Sequence, residues 1–586
     1  MTGMPRPRAV SRSPEPVVTN AELARIFGEI ADMLEISGEL VYKSVAYRRV
    51  ADAVERWPED LATLFRHGTP PKVPGAGPAL SAKLAELSET GRLTYHDRLR
   101  SQVPVGLLDV LRVPGIGPRT ARLLHSELGI DSLDALRVAA EAGALRGLKG
   151  LSARTEESIL AGMARLADRE LRLLLHDADR LASGLVEQLR DMHGARQIEP
   201  AGSLRRREAT IGDLDLLAAT DDPAALIAAF GALSEVGRVL SAGTDKSSVL
   251  LASGTQVDLM VCAPAAWGSH LVHFTGSRAH NVALRGMALE LGLSLSEKGF
   301  TVLDSGALQP AASEADVYER LGLPWIAPEL REDAGEIAAA LAGTLPELVT
   351  ADDLRGDTHV HSNWTDGIDS IEAMAQAARA RGHHWMLLTD HSPSLGITRG
   401  LTPDRVAEQG VELARLNALL APFRILHGTE MEIRADGSLD YPDEMLARFD
   451  LVLASVHTAR GQSTEQLTRR TLAAIENEHV DVIAHPTGRI VNSRDAVDLE
   501  WPRIFEAAAR TGTALEVNGS PRLDLGDSLA RAAGAAGARL TLASDAHRTE
   551  ELDQLVYAVA TARRAWATAP QVLGTRSAAA LLEMVR

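Results

Sequence analysis

At 586 residues the chain is longer than the roughly 250–300 residues that one hydrophobic core serves, so several domains are expected. With 45% hydrophobic and 24% charged residues it reads as soluble globular material, and no apolar run approaches the ~20 residues that span a bilayer. A formal charge of −18 argues against a generic basic nucleic-acid coat, and the single cysteine, Cys262, excludes an intrachain disulfide and fits a reducing, cytoplasmic setting. Any metal must therefore be held by His, Asp and Glu. The charge is uneven: residues 1–150 carry 20 Lys+Arg against 18 Asp+Glu, so the acidic excess lies downstream.

The first 18 residues, rich in Pro, Arg and Ser without an apolar core, read as a disordered leader rather than a signal peptide. Apolar positions then recur at three and four, as in NAELARIFGEIADMLEI, and predict helices to about residue 170. Within them VPGAGPALSAKLAEL (73–87) and VPGIGPRTARLLHSELGI (113–130) repeat one pattern: Pro-Gly-x-Gly-Pro, then an amphipathic helix. Glycine permits the tight turn, and a helix N-terminus offers free N–H groups to phosphate. One such turn serves packing equally well; two copies resemble helix-hairpin-helix motifs, which grip a DNA backbone without reading sequence. Gly75, Gly77, Gly115 and Gly117 are the expected contact points. LKGLSARTEESIL (148–160) reads as a degraded third copy.

From about residue 195 short apolar strands follow: IGDLDLLAAT, SSVLLAS and TQVDLMVC. Asp213 and Asp215 stand two apart and share one strand face. Their neighbours Ile211, Leu214, Leu216 and Leu217 predict a buried strand rather than a solvated one. Two carboxylates so placed repel unless a cation lies between them, and Mg²⁺ with phosphate oxygens is the usual answer. Asp258, on a later strand, is placed to complete the cage. Gly202, Ser203 and the run Arg205–Arg207 suit a triphosphate.

Residues 312–350, without period-2 runs, read as a connector. Beyond 356 helical stretches alternate with apolar strands, which predicts βα units and a barrel. Most of these strands end in a ligand-type residue: His359, His361 and Asp366, then His391, Glu430, His457, His485, Asp545 and His547. In a βα barrel the C-terminal strand ends share one face, so the nine would converge. Any one histidine is more often a satisfied polar residue; nine at strand ends call for two or three ions, Mn²⁺ or Zn²⁺ by ligand type. With no Ser or Cys nucleophile motif, metal-assisted hydrolysis of a phosphoester is the expected chemistry.

GSLRRREATIGDLD, HFTGSRAHNVALR (273–285) and the paired hairpins resemble an X-family DNA polymerase of the bacterial kind, over roughly residues 20–330. The resemblance implies Asp213, Asp215 and Asp258 as catalytic carboxylates for Mg²⁺ or Mn²⁺. It also implies Ser203 and Arg206 at the triphosphate, Gly276 near the sugar, and Asn281 and Arg285 near the nascent pair. His273 stands where the family has an aromatic residue. Lys83 matches the lyase lysine that removes a 5′-deoxyribose phosphate, and Lys43 and Tyr47 match its 5′-phosphate pocket, with Ala79 in place of a supporting lysine. Only six of the 61 basic side chains are lysine, and arginine cannot form a Schiff base, which sets Lys83 apart.

Residues 350–580 resemble the PHP (polymerase and histidinol phosphatase) domain. That resemblance implies a distorted (β/α)7 barrel with a three-metal site. His359, His361, Glu430 and Asp545 would hold one ion, Glu430, His457 and His485 the second, and Asp366, His391 and His547 the third. It further implies a manganese-dependent 3′–5′ exonuclease, with abasic-site cleavage alongside.

The expected architecture is multidomain, α+β and α/β. After the leader come a helical lyase-like DNA-binding domain (19–95), a fingers-type domain with the second hairpin (96–170) and a nucleotidyltransferase palm (171–265). A thumb-type nucleotide-selection domain (266–330), a linker (331–352) and the PHP metallophosphoesterase barrel (353–586) complete it. The expected function is gap-filling repair synthesis by two-metal nucleotidyl transfer with a trimming nuclease, as a cytoplasmic monomer acting on gapped or primed DNA and dNTPs. The alternatives are a polymerase with a purely structural barrel, a phosphatase tethered to DNA by an inactive polymerase part, and a non-catalytic DNA-binding scaffold.

Overall fold

The protein is described by a computed structural model covering residues 18–585, apart from 40, 56, 58–60, 68–69, 105, 114, 149, 171, 191–194 and 395–397. The expected leader, but for Val18, lies outside the described residues. The chain divides into two compact units between Leu171 and Arg172. No helix among the described residues is long and apolar enough to cross a membrane.

The first unit is helical. Its opening helix, Asn20–Ile36, starts at a capping box in which Thr19 and Glu22 satisfy each other's backbone N–H groups. Leu23, Phe27, Ile30, Ala31 and Leu34 form its buried face, spaced at three and four. They pack on residues of later helices, among them Val50, Leu84, Leu107 and Leu124, so that one core serves both hairpins.

The second unit begins with a five-stranded sheet: β1 (Ala195–Pro200), β2 (Leu214–Thr220), β3 (Val236–Ala242), β4 (Lys246–Leu251) and β5 (Gln256–Cys262). Its order is β1-β2-β5-β4-β3, with β2 and β5 parallel and the other pairs antiparallel. Helices Trp267–Thr275 and Arg278–Glu290 follow, then a small three-stranded sheet.

The stretch expected as a connector is packed instead. Val317, Tyr318 and Leu321 enter the core beside that small sheet, and helix Glu336–Ala342 adds Ala340. Arg331 is fully buried and forks onto Glu314 at 2.6 and 3.1 Å, while Arg205 reaches the same carboxylate at 2.7 and 3.0 Å. A strand-seeking reading misses such a segment, because its apolar residues recur at helical spacing over only a turn or two.

Seven parallel strands then run in sequence order: β6 (Gly356–Val360), β7 (Trp385–Leu388), β8 (Arg424–Glu432), β9 (Leu451–Ser455), β10 (Val482–Ile483), β11 (Ala514–Asn518) and β12 (Leu540–Ala543). The His361 N–H donates to the Ala546 carbonyl (2.9 Å) and the Asp545 N–H to the His359 carbonyl (3.0 Å), which brings the last strand back to the first. Alternation divides the faces: Met386, Leu388 and Ile425 pack with the outer helices, while Trp385, Leu387, Leu426, Leu453 and Val482 form a separate inner cluster. Gly356 is required here, since a Cβ would lie 2.2 Å from the Trp385 ring.

Candidate active sites

In both hairpins the first glycine turns the chain, Gly75 at φ 79° and Gly115 at φ 89°. The second, Gly77 or Gly117, is extended and starts the helix, with Pro78 or Pro118 at the first helical position. No side chain caps either helix. A Cβ at Gly77 or Gly117 would meet nothing within 4 Å, so glycine there relieves no clash and leaves the backbone approachable. Nearby, Lys83 Nζ lies 5.0 Å from the centre of the Tyr95 ring, which stacks on Tyr47 at 6.0 Å. Tyr47 is buried, and burial raises its hydroxyl pKa. Lys43 forms an ion pair with Glu39 at 2.8 Å.

On the five-stranded sheet Asp215 and Asp258 are register partners across β2 and β5. Asp213, Asp215 and Asp258 each offer an oxygen within 4.8 Å of the other two. Burial, then the charges of Asp213 and Asp258, push Asp215 up to about 7. Burial opposes charge on Asp258 too, yet Lys246, at 2.6 Å, and Gln256 hold it below the usual range. Gly202 lies so close that a Cβ would sit 2.2 Å from Asp215 Oδ2. Ser203 occupies the short helix Gly202–Arg205, above this carboxylate strand in sequence and joined to it where the Ala201 N–H meets the Asp215 carbonyl (2.8 Å). Arg206 donates to the Thr275 carbonyl (2.7 Å), beside Gly276, and pairs with Glu208 and with Glu332 (2.9 Å). Asn281 Nδ2 donates to the His273 carbonyl (2.7 Å), and Arg285 reaches His273 Nδ1 at 3.3 Å.

The nine barrel residues meet at the C-terminal ends of the strands. Glu430 is their centre, and its two oxygens face different partners. Oε2 lies 3.4, 3.6 and 3.2 Å from nitrogens of His359, His361 and His391. Oε1 lies 3.2 Å from His457 Nε2 and 2.7 Å from His485 Nε2. Asp545 Oδ1 stands 3.6 and 3.4 Å from the Nε2 atoms of His359 and His361. Asp366 Oδ2 faces His391 Nε2 at 3.3 Å and His547 Nε2 at 3.6 Å. His361 belongs to two groups, because its Nδ1 is 3.9 Å from Asp366.

Burial opposes charge throughout, but the surrounding imidazoles, His457 and His391 foremost, hold Glu430 well below the usual carboxylate range. Burial likewise pushes His361 down to about 3 and His485 to about 4, while Glu430 lifts His457 to about 9 against its burial. The buried Nδ1 atoms of His361 and His485 make no hydrogen bond, and neutral imidazoles facing carboxylates are a donor set that fits divalent cations.

Sequence reasoning missed the row behind these ligands. Glu516 accepts from His359 Nδ1 (2.7 Å) and from the His485 N–H (2.6 Å); Glu432 faces His457 Nδ1 at 3.1 Å. Such carboxylates fix ring orientation and raise ligand basicity. Each sits two residues from another polar residue on its strand, Asn518 or Glu430, and that spacing was the available signal. Lys246 beside Asp258 had no sequence signal.

A carboxylate triad beside Arg205 and Arg206, and a histidine cluster around one shared carboxylate in a barrel, are two separate groups that could hold metal ions. Comparison with known proteins narrows this. Family models match in order: a helix-hairpin-helix domain over residues 18–93, a SAM-like helix-hairpin-helix tandem over 107–164, a DNA polymerase beta thumb over 270–332 and a PHP domain over 357–520. The chain is 35% identical to the DNA polymerase/3′-5′ exonuclease PolX of Bacillus subtilis over 559 residues, covering 95% of this chain and 97% of that protein. Rat DNA polymerase lambda is 25% identical over 290 residues, 44% of this chain and 48% of that one. A probable phosphatase of Syntrophotalea carbinolica is 29% identical over 241 residues, 39% of this chain and 95% of that one. The chain belongs to the family of X-family DNA polymerases that carry a PHP domain.

Proposed function

We propose that the two centres are the synthetic and trimming sites of one DNA repair enzyme, a DNA-directed DNA polymerase with a 3′–5′ exonuclease. Asp213, Asp215 and Asp258 would hold the palm cations, and the nine barrel residues would hold the others. When bound, these ions neutralise charge on the transferred phosphate and activate the attacking oxygen. Arg206 exchanges its carboxylate partners for the triphosphate, Ser203 and Gly276 flank it, and Asn281 and Arg285 border the new pair. The hairpins of Gly75, Gly77, Gly115 and Gly117 give their uncapped helix starts to the DNA backbone. Mg²⁺ or Mn²⁺ suits the all-oxygen palm site and Mn²⁺ or Zn²⁺ the mixed barrel site. The enzyme works as a monomer in the cytoplasm.

The observation that carries this reading is Glu430, whose two oxygens address two separate histidine groups, as a bridge between ions requires. A 5′-labelled primer on gapped DNA tests it, with and without dNTPs, in Mg²⁺ and in Mn²⁺. Extension with dNTPs and shortening without them is expected; extension alone reduces the barrel to a support. Lys83, over Tyr95 in the Lys43–Tyr47 region, is proposed as a Schiff-base lyase lysine. Borohydride should trap it on a 5′-deoxyribose-phosphate end, with the adduct lost in Lys83→Ala. No adduct in the wild type leaves it a DNA contact.

A further inference from the structure

Three neighbouring strands, β9, β10 and β11, are followed by loops that carry Arg460, Arg489, Arg494 and Arg522. Arg460 stands three residues beyond His457, and Arg489 and Arg494 stand four and nine beyond His485, so they rise from the rim that bears the metal cluster. Among the described residues Arg460, Arg489 and Arg494 form no ion pair, and their bonds go to carbonyls. Arg460 donates to Gly488 (2.6 Å), Thr487 (3.4 Å) and Asp495 (3.0 Å), and Arg494 donates to the same Gly488 carbonyl (2.9 Å). Arg489 holds the Arg522 carbonyl (3.1 Å). Arg522 in turn reaches Asp545 Oδ2 at 3.3 Å, and its Nη1 is buried without a partner.

Carbonyls orient a guanidinium without neutralising it. The buried Asp524 lies among them: its side chain accepts the Thr487 N–H (3.2 Å), and the charges of Arg489 and Arg522 act on it against its burial. Arg494 shows the net effect: burial, then the charges of Arg460 and Arg522, lower its pKa to about 10. Arg460 and Arg494 line one open groove of about 530 Å³, together with Thr464, Leu467, Asp495 and Asp498. The groove thus offers two guanidiniums that form no ion pair among the described residues, beside Asp495 and Asp498, and next to a third that touches a metal-site carboxylate.

We propose that Arg460, Arg494 and Arg522 form a phosphate tract that leads the 3′-terminal stretch of a single DNA strand into the barrel. Arg522 takes the phosphate nearest the reacting one, and Arg494 and Arg460 take those behind it. A single row of arginines matches one phosphate backbone, and the histidines and Glu430 it leads to are buried, so the strand is taken as unpaired. This rests on the nuclease reading above and adds the recognition it requires.

The test uses the full chain, Arg494→Ala and Arg460→Gln, with a single-stranded octanucleotide in Mn²⁺. KM for shortening should rise several-fold in each variant. The slope of log affinity against log salt, read by anisotropy of the labelled octanucleotide without divalent ions, should flatten by about 0.7 per arginine lost. Hydrolysis of bis(p-nitrophenyl) phosphate, too small to reach the tract, should stay at the wild-type rate. Unchanged KM and salt slope in both variants would overturn the tract. A parallel fall in bis(p-nitrophenyl) phosphate hydrolysis would overturn it too, since the arginines would then support the metal centre. If the wild type shortens nothing, the nuclease reading itself fails, and the tract with it.

Discussion

The two centres of the second unit solve the same problem, gathering negative charge around cations, in opposite ways. The palm places three carboxylates at the start of two inner strands, with Asp213 exposed, Asp258 buried and Asp215 pushed up to about 7 by burial and by its neighbours. One lysine offsets the charge from outside. The barrel buries its ligands, interleaves carboxylates with imidazoles and backs them with Glu516 and Glu432. A buried ionic cluster costs several kcal/mol per unmatched charge, so it persists only when each member is paired or hydrogen-bonded. An open one defers its balance to whatever binds. The palm is therefore arranged to be completed by substrate and ions together, whereas the barrel is arranged in advance.

Several measurements would break or sharpen that contrast. The largest effect is expected from Asp213→Ala and Asp215→Ala, which should take primer extension below detection and leave Mn²⁺-dependent shortening near normal. Retained extension in both would remove the palm assignment. Glu430→Ala should reverse the pattern, with shortening lost, extension kept, and two ions missing by metal analysis because one carboxylate serves both groups. Full metal content in that variant would refute the bridge.

Glu516→Gln probes the second row more gently. Metal affinity should fall about ten- to hundredfold, with shortening restored by excess Mn²⁺. A loss that metal does not rescue would mean Glu516 acts otherwise than through His359. Smallest is Glu332→Gln, which frees Arg206 from one of its carboxylates. An ion pair of about 1 kcal/mol corresponds to at most about a fivefold lower KM for dNTP, with kcat unchanged. A higher KM would show that Glu332 positions Arg206 rather than competes for it.

The sequence by itself determined a good deal: that Asp213 and Asp215 share a face, that both hairpins turn on glycines, and that nine ligand-type residues stand near the ends of apolar strands. These are local properties, fixed by the two-residue period of a strand or by the φ a turn demands. The tertiary structure alone decided that Glu430 divides its oxygens, that His361 serves two groups, and that Glu516 reaches both His359 and His485. It also decided that residues 331–352 pack rather than tether, and that four arginines scattered over 460–522 share one rim. Such facts depend on the order of the strands and the return of the last to the first. Periodicity tells which way a side chain points, but only the pairing of distant strands tells what it meets there.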